Sequence, residues 1–182
     1  LGYLNRLGHR RRANTLENSQ KNIHEHYDLG NRFYELFLDE TMTYSSGIFA
    51  HPQATLREAS VAKYDRICRA IQLSPDDHVL EIGTGWGGFA IHAARKYGCR
   101  VTTTTISHAQ YEYARRQIAQ YKLSDRVTLL LRDYRDLEGI FDKLVSIEMI
   151  EAVGHEFLPT YFDQCMKLLR PKGSVSYTHL TL

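Results

Sequence analysis

The chain has 182 residues, of which 43% are apolar, 24% charged and 11% aromatic, and its formal net charge is +2. This composition excludes a disordered or collagen-like chain and fits one globular domain of ordinary size. No run approaches the ~18 consecutive apolar residues of a membrane helix and no signal peptide is recognisable. Cys68, Cys99 and Cys165 show no CxxC spacing, so neither a zinc site nor a disulfide framework is expected. The expected compartment is a reducing cytoplasm, and any work at a membrane is expected from its surface.

The chain starts at Leu1 rather than Met and stops at Leu182, the pattern expected of a piece of a longer protein. Residues 1–20 read as a basic arm. Over residues 1–24, Arg6, Arg10, Arg11, Arg12 and Lys21 stand against Glu17 alone, a local charge of +4. Such a run is either a solvated arm or an attraction to anionic lipid or nucleic acid. No aromatic residue interleaves the arginines, which argues against nucleic acid. Residues 21–75 read as a helical cap. Ile23, Tyr27, Phe33, Tyr34, Phe37 and Leu38 recur at helical spacing in two segments hinged near Leu29-Gly30-Asn31, and Thr41–Gly47 is a small-residue loop. An amphipathic helix is predicted from Thr55 to Leu73, opened by a Thr55–Glu58 capping box and stopped by Ser74-Pro75-Asp76-Asp77.

From residue 76 the period changes. Strands are predicted at Val79–Ile82, Arg100–Thr105, Val127–Leu131 and Asp142–Ile147, and helices at Phe89–Tyr97, Ala109–Tyr121 and Phe157–Leu169, the last closed by Arg170-Pro171-Lys172-Gly173. This alternation predicts an α/β fold with a parallel, Rossmann-like sheet, covered on both faces and preceded by the helical cap.

The strongest local signal is Val79-Leu80-Glu81-Ile82-Gly83-Thr84-Gly85-Trp86-Gly87-Gly88, a strand that turns through four glycines into a helix. Glycine suits a backbone that must turn sharply and approach a ligand closely. Gly83-x-Gly85-x-x-Gly88 satisfies the dinucleotide fingerprint, which also requires an acid about 20 residues on. The second strand ends instead in Thr102-Thr103-Thr104-Thr105. Glu81, two residues before the first glycine, suits a nucleoside cofactor with a cationic amino-acid tail, which points to S-adenosylmethionine rather than NAD.

At this point the chain resembles the cyclopropane-fatty-acyl-phospholipid synthase family, S-adenosylmethionine-dependent enzymes of the class I methyltransferase superfamily. The blocks that carry the likeness are His26–Asn31 through Phe37, Met42–Phe49, Glu81–Gly88, Thr105-Ile106-Ser107-x-x-Gln110, Asp133-Tyr134-Arg135-Asp136 and Glu148–His155. The resemblance implies methyl transfer to a cis double bond of a phospholipid acyl chain, with a carbocation that loses a proton to close a cyclopropane ring. An alkene is a weak nucleophile, so alignment and stabilisation of positive charge must drive the reaction. Aromatic faces supply the second, and the family's pocket tyrosines correspond to Tyr27 and Tyr44.

The resemblance also implies a bicarbonate ion as proton acceptor, held by Glu151 and by Ser46 where relatives often carry cysteine. It assigns the methionine part of the cofactor to Leu80, Glu81, Ile82, Gly83, Thr84, Gly85, Trp86, Gly87 and Gly88. Tyr44 and Ser45 border the cofactor, Thr105, Ile106, Ser107 and Gln110 serve its ribose and adenine region, and Tyr134 and Arg135 flank the adenine. Trp86 is either packing or a pocket wall. No metal is expected. The implied location is cytoplasmic, peripheral to the inner face of the membrane, with phospholipid acyl chains as partners and no nucleic acid.

After Gly173 the family continues with a long apolar strand. Here Ser174–Leu182 follows, which is expected to be a non-native tail although its alternation also fits an edge strand. Residues 76–173 are thus expected to be an incomplete S-adenosylmethionine-binding domain. The competing functions are a methyltransferase acting on the carbons of acyl chains, a small-molecule methyltransferase and an inactive fragment of such an enzyme.

Overall fold

A computed structural model describes residues 30–179. Within that range five helices and five strands follow one another. Helix α1 (Asn31–Glu35) follows Gly30, whose φ is 75°. It ends before the predicted Leu38 because Leu36–Leu38 tightens into a turn, with Phe37 and Leu38 both donating to the Tyr34 carbonyl. The segment before the Gly30 hinge, with Tyr27 and the basic arm, lies outside the described residues.

Helix α2 (Leu56–Ala70) opens with the predicted capping box. Thr55 Oγ1 accepts from the Glu58 N–H at 3.2 Å, and Glu58 Oε2 accepts from the Thr55 N–H at 2.8 Å. These bonds satisfy donors that a helix start leaves without partners. The helix stops short of Leu73 because Gln72 takes a left-handed φ of 52° and the Leu73 N–H returns to the Cys68 carbonyl at 2.9 Å.

Strand β1 (His78–Ile82) begins one residue early, where the His78 N–H donates to Asp142 Oδ2 at 2.6 Å. It runs through the glycine turn into α3 (Gly88–Tyr97). Then come β2 (Arg100–Thr105), α4 (His108–Gln120), β3 (Val127–Leu131), β4 (Phe141–Ile147), α5 (Leu158–Leu168) and β5 (Leu169–Thr178). The sheet order is β3-β2-β1-β4-β5 and every neighbouring pair is parallel. This is the parallel, Rossmann-like sheet that the alternation of strands and helices predicts. Arg170–Gly173 does not close the helix as expected. Phe141 pairs with Leu169, the register then shifts, and Ser174–Thr178 pair with Lys143–Ile147 in the edge-strand geometry their alternation predicts.

Alternation along β1 divides the core. Val79 packs into one cluster with Tyr64, Ile67 and Cys68 of α2, Ile71 just beyond it, and Phe89, Ala90, Ala93 and Ala94 of α3. Leu80 and Ile82 face the other cluster, with Leu144, Val153 and the α5 residues Tyr161, Cys165 and Leu168. A large apolar side chain in either cluster contributes about 1.5–3 kcal/mol by leaving water. A smaller cluster of Tyr34, Met42 and Trp86 ties α1 and the following loop to the glycine turn. Among the described residues no helix is long and apolar enough to cross a membrane.

Candidate functional site

The glycine turn, Thr105, Asp133 and Glu148 all lie at or just beyond the carboxyl ends of β1, β2, β3 and β4. Strand order reverses between β1 and β4, and open parallel sheets bind ligands at that crevice. Gly83, Gly85 and Gly87 have φ of 98°, 52° and 95°, which glycine adopts without a Cβ penalty. A Cβ on Gly85 would meet none of the described residues within 4 Å. A Cβ on Gly88 would strike the Tyr64 hydroxyl at 2.4 Å and the Thr41 carbonyl at 2.9 Å, so the start of α3 is packed directly under the cap.

Glu81 is 2% exposed and accepts from Thr103 Oγ1 at 2.6 Å. Thr103 has then spent its proton, so its 2.7 Å contact with Thr84 is donated by Thr84. Burial pushes the Glu81 carboxyl up to about 8 against the smaller, lowering effect of the Thr103 bond.

The polar residues that end β2 also converge. Thr105 Oγ1 donates to Gln110 Oε1 at 3.0 Å and accepts from the Ser107 N–H at 3.2 Å, while Ser107 caps α4 by accepting from the Gln110 N–H at 3.3 Å. The Gln110 amide oxygen is thus engaged, leaving its NH2 group as the donor. Ile106, between them, is half-buried. Beyond β3, Asp133 caps a short 3-10 turn at Tyr134–Asp136 and takes Arg135 in a forked pair, Nε at 2.8 Å and Nη2 at 2.7 Å. The guanidinium lies 5.5 Å from the Tyr134 ring centre, and Tyr134 meets Tyr161 edge-on at 5.4 Å.

Trp86 is 4% exposed; its Nε1 donates to Asn31 Oδ1 at 2.9 Å and its ring packs 4.8 Å from Tyr34. It is therefore packing between α1 and the turn. It also borders a cavity of about 340 Å3 among α2, α3 and α4, whose walls include Gly88 and Tyr64 but neither Gly85 nor Thr105. Tyr44 is 52% exposed and stands edge-on to Tyr34 at 5.5 Å.

No hydrogen bond joins Ser46 to Glu151, which is exposed in a 3-10 turn at Ile150–Ala152. Glu148 reaches Ser46 instead: its Oε1 accepts from the Ser46 N–H at 3.0 Å and from Ser46 Oγ at 2.7 Å. Glu148 holds a left-handed φ of 49°, a sparsely populated conformation for a residue with a side chain.

Sequence reasoning assigns no role to Glu148 or to Lys63. Lys63 lies on the buried stripe of α2 with Ser60, Tyr64 and Ile67, and its ammonium donates to Ser45 Oγ. Burial lowers it to about 8, with Glu148 and Asp39 opposing. The signal that could have found it is a lysine at core spacing on an amphipathic helix. Beside it, Thr41 Oγ1 donates to Asp39 at 2.8 Å, which makes Thr43 donate to Thr41 at 2.6 Å and the Tyr64 hydroxyl donate to Thr43 at 2.5 Å. No group of three or more His, Cys, Asp or Glu able to hold a metal occurs among the described residues.

The model of the mycolic acid cyclopropane synthetase family matches residues 14–182. The tuberculostearic acid methyltransferase UfaA1 of Mycobacterium tuberculosis is 41% identical over 173 residues, covering 91% of this chain and 40% of its own length. The cyclopropane-fatty-acyl-phospholipid synthase of Escherichia coli K12 is 41% identical over 149 residues, 82% of this chain and 38% of its own length. The crystal structure of the mycolic acid cyclopropane synthase CmaA1, complexed with SAH and CTAB, superposes with a TM-score of 0.82 at 32% identity, over 87% of this chain and 55% of that one. The protein thus spans about two fifths of the length of these curated relatives. With a sheet, a glycine turn and a matched length of this extent, the protein belongs to the mycolic acid cyclopropane synthetase family.

Proposed function

We propose that this protein holds the cofactor-binding part of an enzyme that transfers a methyl group, or its methylene equivalent, from S-adenosylmethionine to a cis double bond of a phospholipid acyl chain through a carbocation. The observation that carries the reading is the glycine turn. Among the described residues nothing fills the space at Gly85, and none of them brings a cation to the buried Glu81 carboxyl. Such a carboxyl keeps its proton near neutral pH until a positive group comes beside it, which fits a ligand with an amino-acid ammonium. The Thr105–Ser107–Gln110 knot offers the Gln110 NH2 donor at the end of β2, in place of a ribose-binding acid. The related CmaA1 was crystallised with SAH, which supports the same cofactor here.

When bound, S-adenosylmethionine supplies an electrophilic methyl group on a sulfonium. The protein's own contribution is to align the alkene, exclude water and stabilise positive charge. Tyr44, half-exposed and edge-on to Tyr34, offers by resemblance an aromatic ring for that charge, together with Tyr27. Bicarbonate fits poorly at Ser46. Both donors of Ser46 end on the Glu148 carboxylate, and a second anion there would face a like charge. Glu148 is the group poised to take a proton beside Ser46, with Glu151 exposed on the following turn.

That pairing favours a second reading of the product. A carboxylate that removes a proton from a carbon other than the added methyl leaves an open, methyl-branched alkene rather than a ring, and UfaA1 is named as a methyltransferase. The test incubates the intact protein with S-adenosylmethionine and vesicles of monounsaturated phospholipid. The expected product is an acyl chain heavier by one CH2 group, and NMR of that product separates cyclopropane from methyl branch. Methyl transfer to a small molecule without vesicles, and none to lipid, overturns the reading.

A further inference from the structure

Lys63 is 5% exposed, and its ammonium donates to Ser45 Oγ. An ammonium has three protons to donate and no lone pair, so the Ser45 oxygen must accept. The Ser45 proton is then turned away from Lys63, and the cation behind it strengthens it as a donor. The loop holding Ser45 is tied at both ends to the glycine turn. On one side Thr43 meets the Tyr64 hydroxyl, which packs against Gly88. On the other Ser46 meets Glu148, and the adjacent Met149 packs against Gly83.

A hydroxyl proton backed by a buried cation attracts a carboxylate and repels an ammonium. We propose that Lys63 is a positioning residue that makes the Ser45 hydroxyl a donor to the cofactor's carboxylate, so that the amino-acid tail is read by Glu81 at its ammonium end and by Ser45 at its carboxylate end. This rests on the reading of the site as one for S-adenosylmethionine. Burial draws Lys63 down to about 8, and the Glu148 and Asp39 carboxylates oppose that shift, so the cation persists at neutral pH.

The test is titration calorimetry of the intact protein with S-adenosylhomocysteine and with methylthioadenosine, which has the same nucleoside and sulfur but no amino-acid tail. The Lys63→Met and Ser45→Ala variants are each expected to lower affinity for S-adenosylhomocysteine about tenfold, as for one lost charge-assisted hydrogen bond, and to leave methylthioadenosine binding unchanged. A purely structural role would weaken both ligands alike and would overturn the proposal. Undiminished binding of S-adenosylhomocysteine by Ser45→Ala overturns it too. Ser45 lies on a loop outside the core, so that variant carries the test if Lys63→Met does not fold. Failure of the unaltered protein to bind either ligand sinks the cofactor reading itself, whereas binding of both with equal affinity sinks this proposal alone.

Discussion

Glu81 and Lys63 are buried ionisable side chains whose shifts run in opposite chemical senses. Glu81 is raised toward neutrality and Lys63 is lowered toward it, each by loss of water. For Glu81 the sign of the linked stability follows directly. The folded state holds a proton up to about pH 8 that the unfolded chain gives up near the ordinary glutamate value of 4.5. Folding therefore loses stability as pH rises through that interval, by at most about 1.4 kcal/mol per pH unit from this group. Replacing Glu81 by Gln keeps the shape and removes the titration. Urea unfolding of both proteins between about pH 5 and about pH 8 should show the gap closing toward acid and widening in favour of the variant toward alkali; a constant gap would mean that Glu81 ionises normally in the fold.

Helix α2 links the core to the site, since Tyr64, Ile67 and Cys68 join the core while Lys63 serves the loop above the turn. Its start depends on the Thr55–Glu58 box. Thr55→Ala should lower stability by about 1 kcal/mol, measured as a shift in the urea midpoint at unchanged slope, and an unchanged midpoint would refute that dependence. This element was legible in the sequence because capping and helical period are local. So were β2 and β3, found at the predicted residues, where β-branched runs meet turn signals. Boundaries slipped where a left-handed residue or a tertiary bond intervened, as at Gln72 and His78. Site pairings were less legible. Ser46 and Glu148 lie 102 residues apart, and no local pattern distinguishes Glu148 from Glu151 as the partner. The resemblance singles out Glu151 as a holder of bicarbonate, and the exit from β4, with Glu148 at positive φ, brings a second acid to the loop.

At the scale of the molecule, the +4 arm of residues 1–24 precedes a remainder of net charge −2. If that arm brings the protein to anionic lipid, each basic residue near the surface adds about 1 kcal/mol of attraction, screened by salt. Removal of residues 1–20 should then reduce co-sedimentation with anionic vesicles and leave co-sedimentation with neutral vesicles unchanged. Equal sedimentation of both forms would assign the arm no part in lipid binding. The strand order has a different consequence, for the making of the protein. Central β1 meets β2 after 22 residues, His78 against Arg100, but meets β4 only after 64, Val79 against Lys143. Its Leu80 and Ile82 face a cluster that is incomplete until α5 (Leu158–Leu168) exists. At roughly 5–20 residues per second of synthesis, one apolar face of the central strand waits on the order of ten seconds for its cover, an interval in which a nascent polypeptide depends on chaperones.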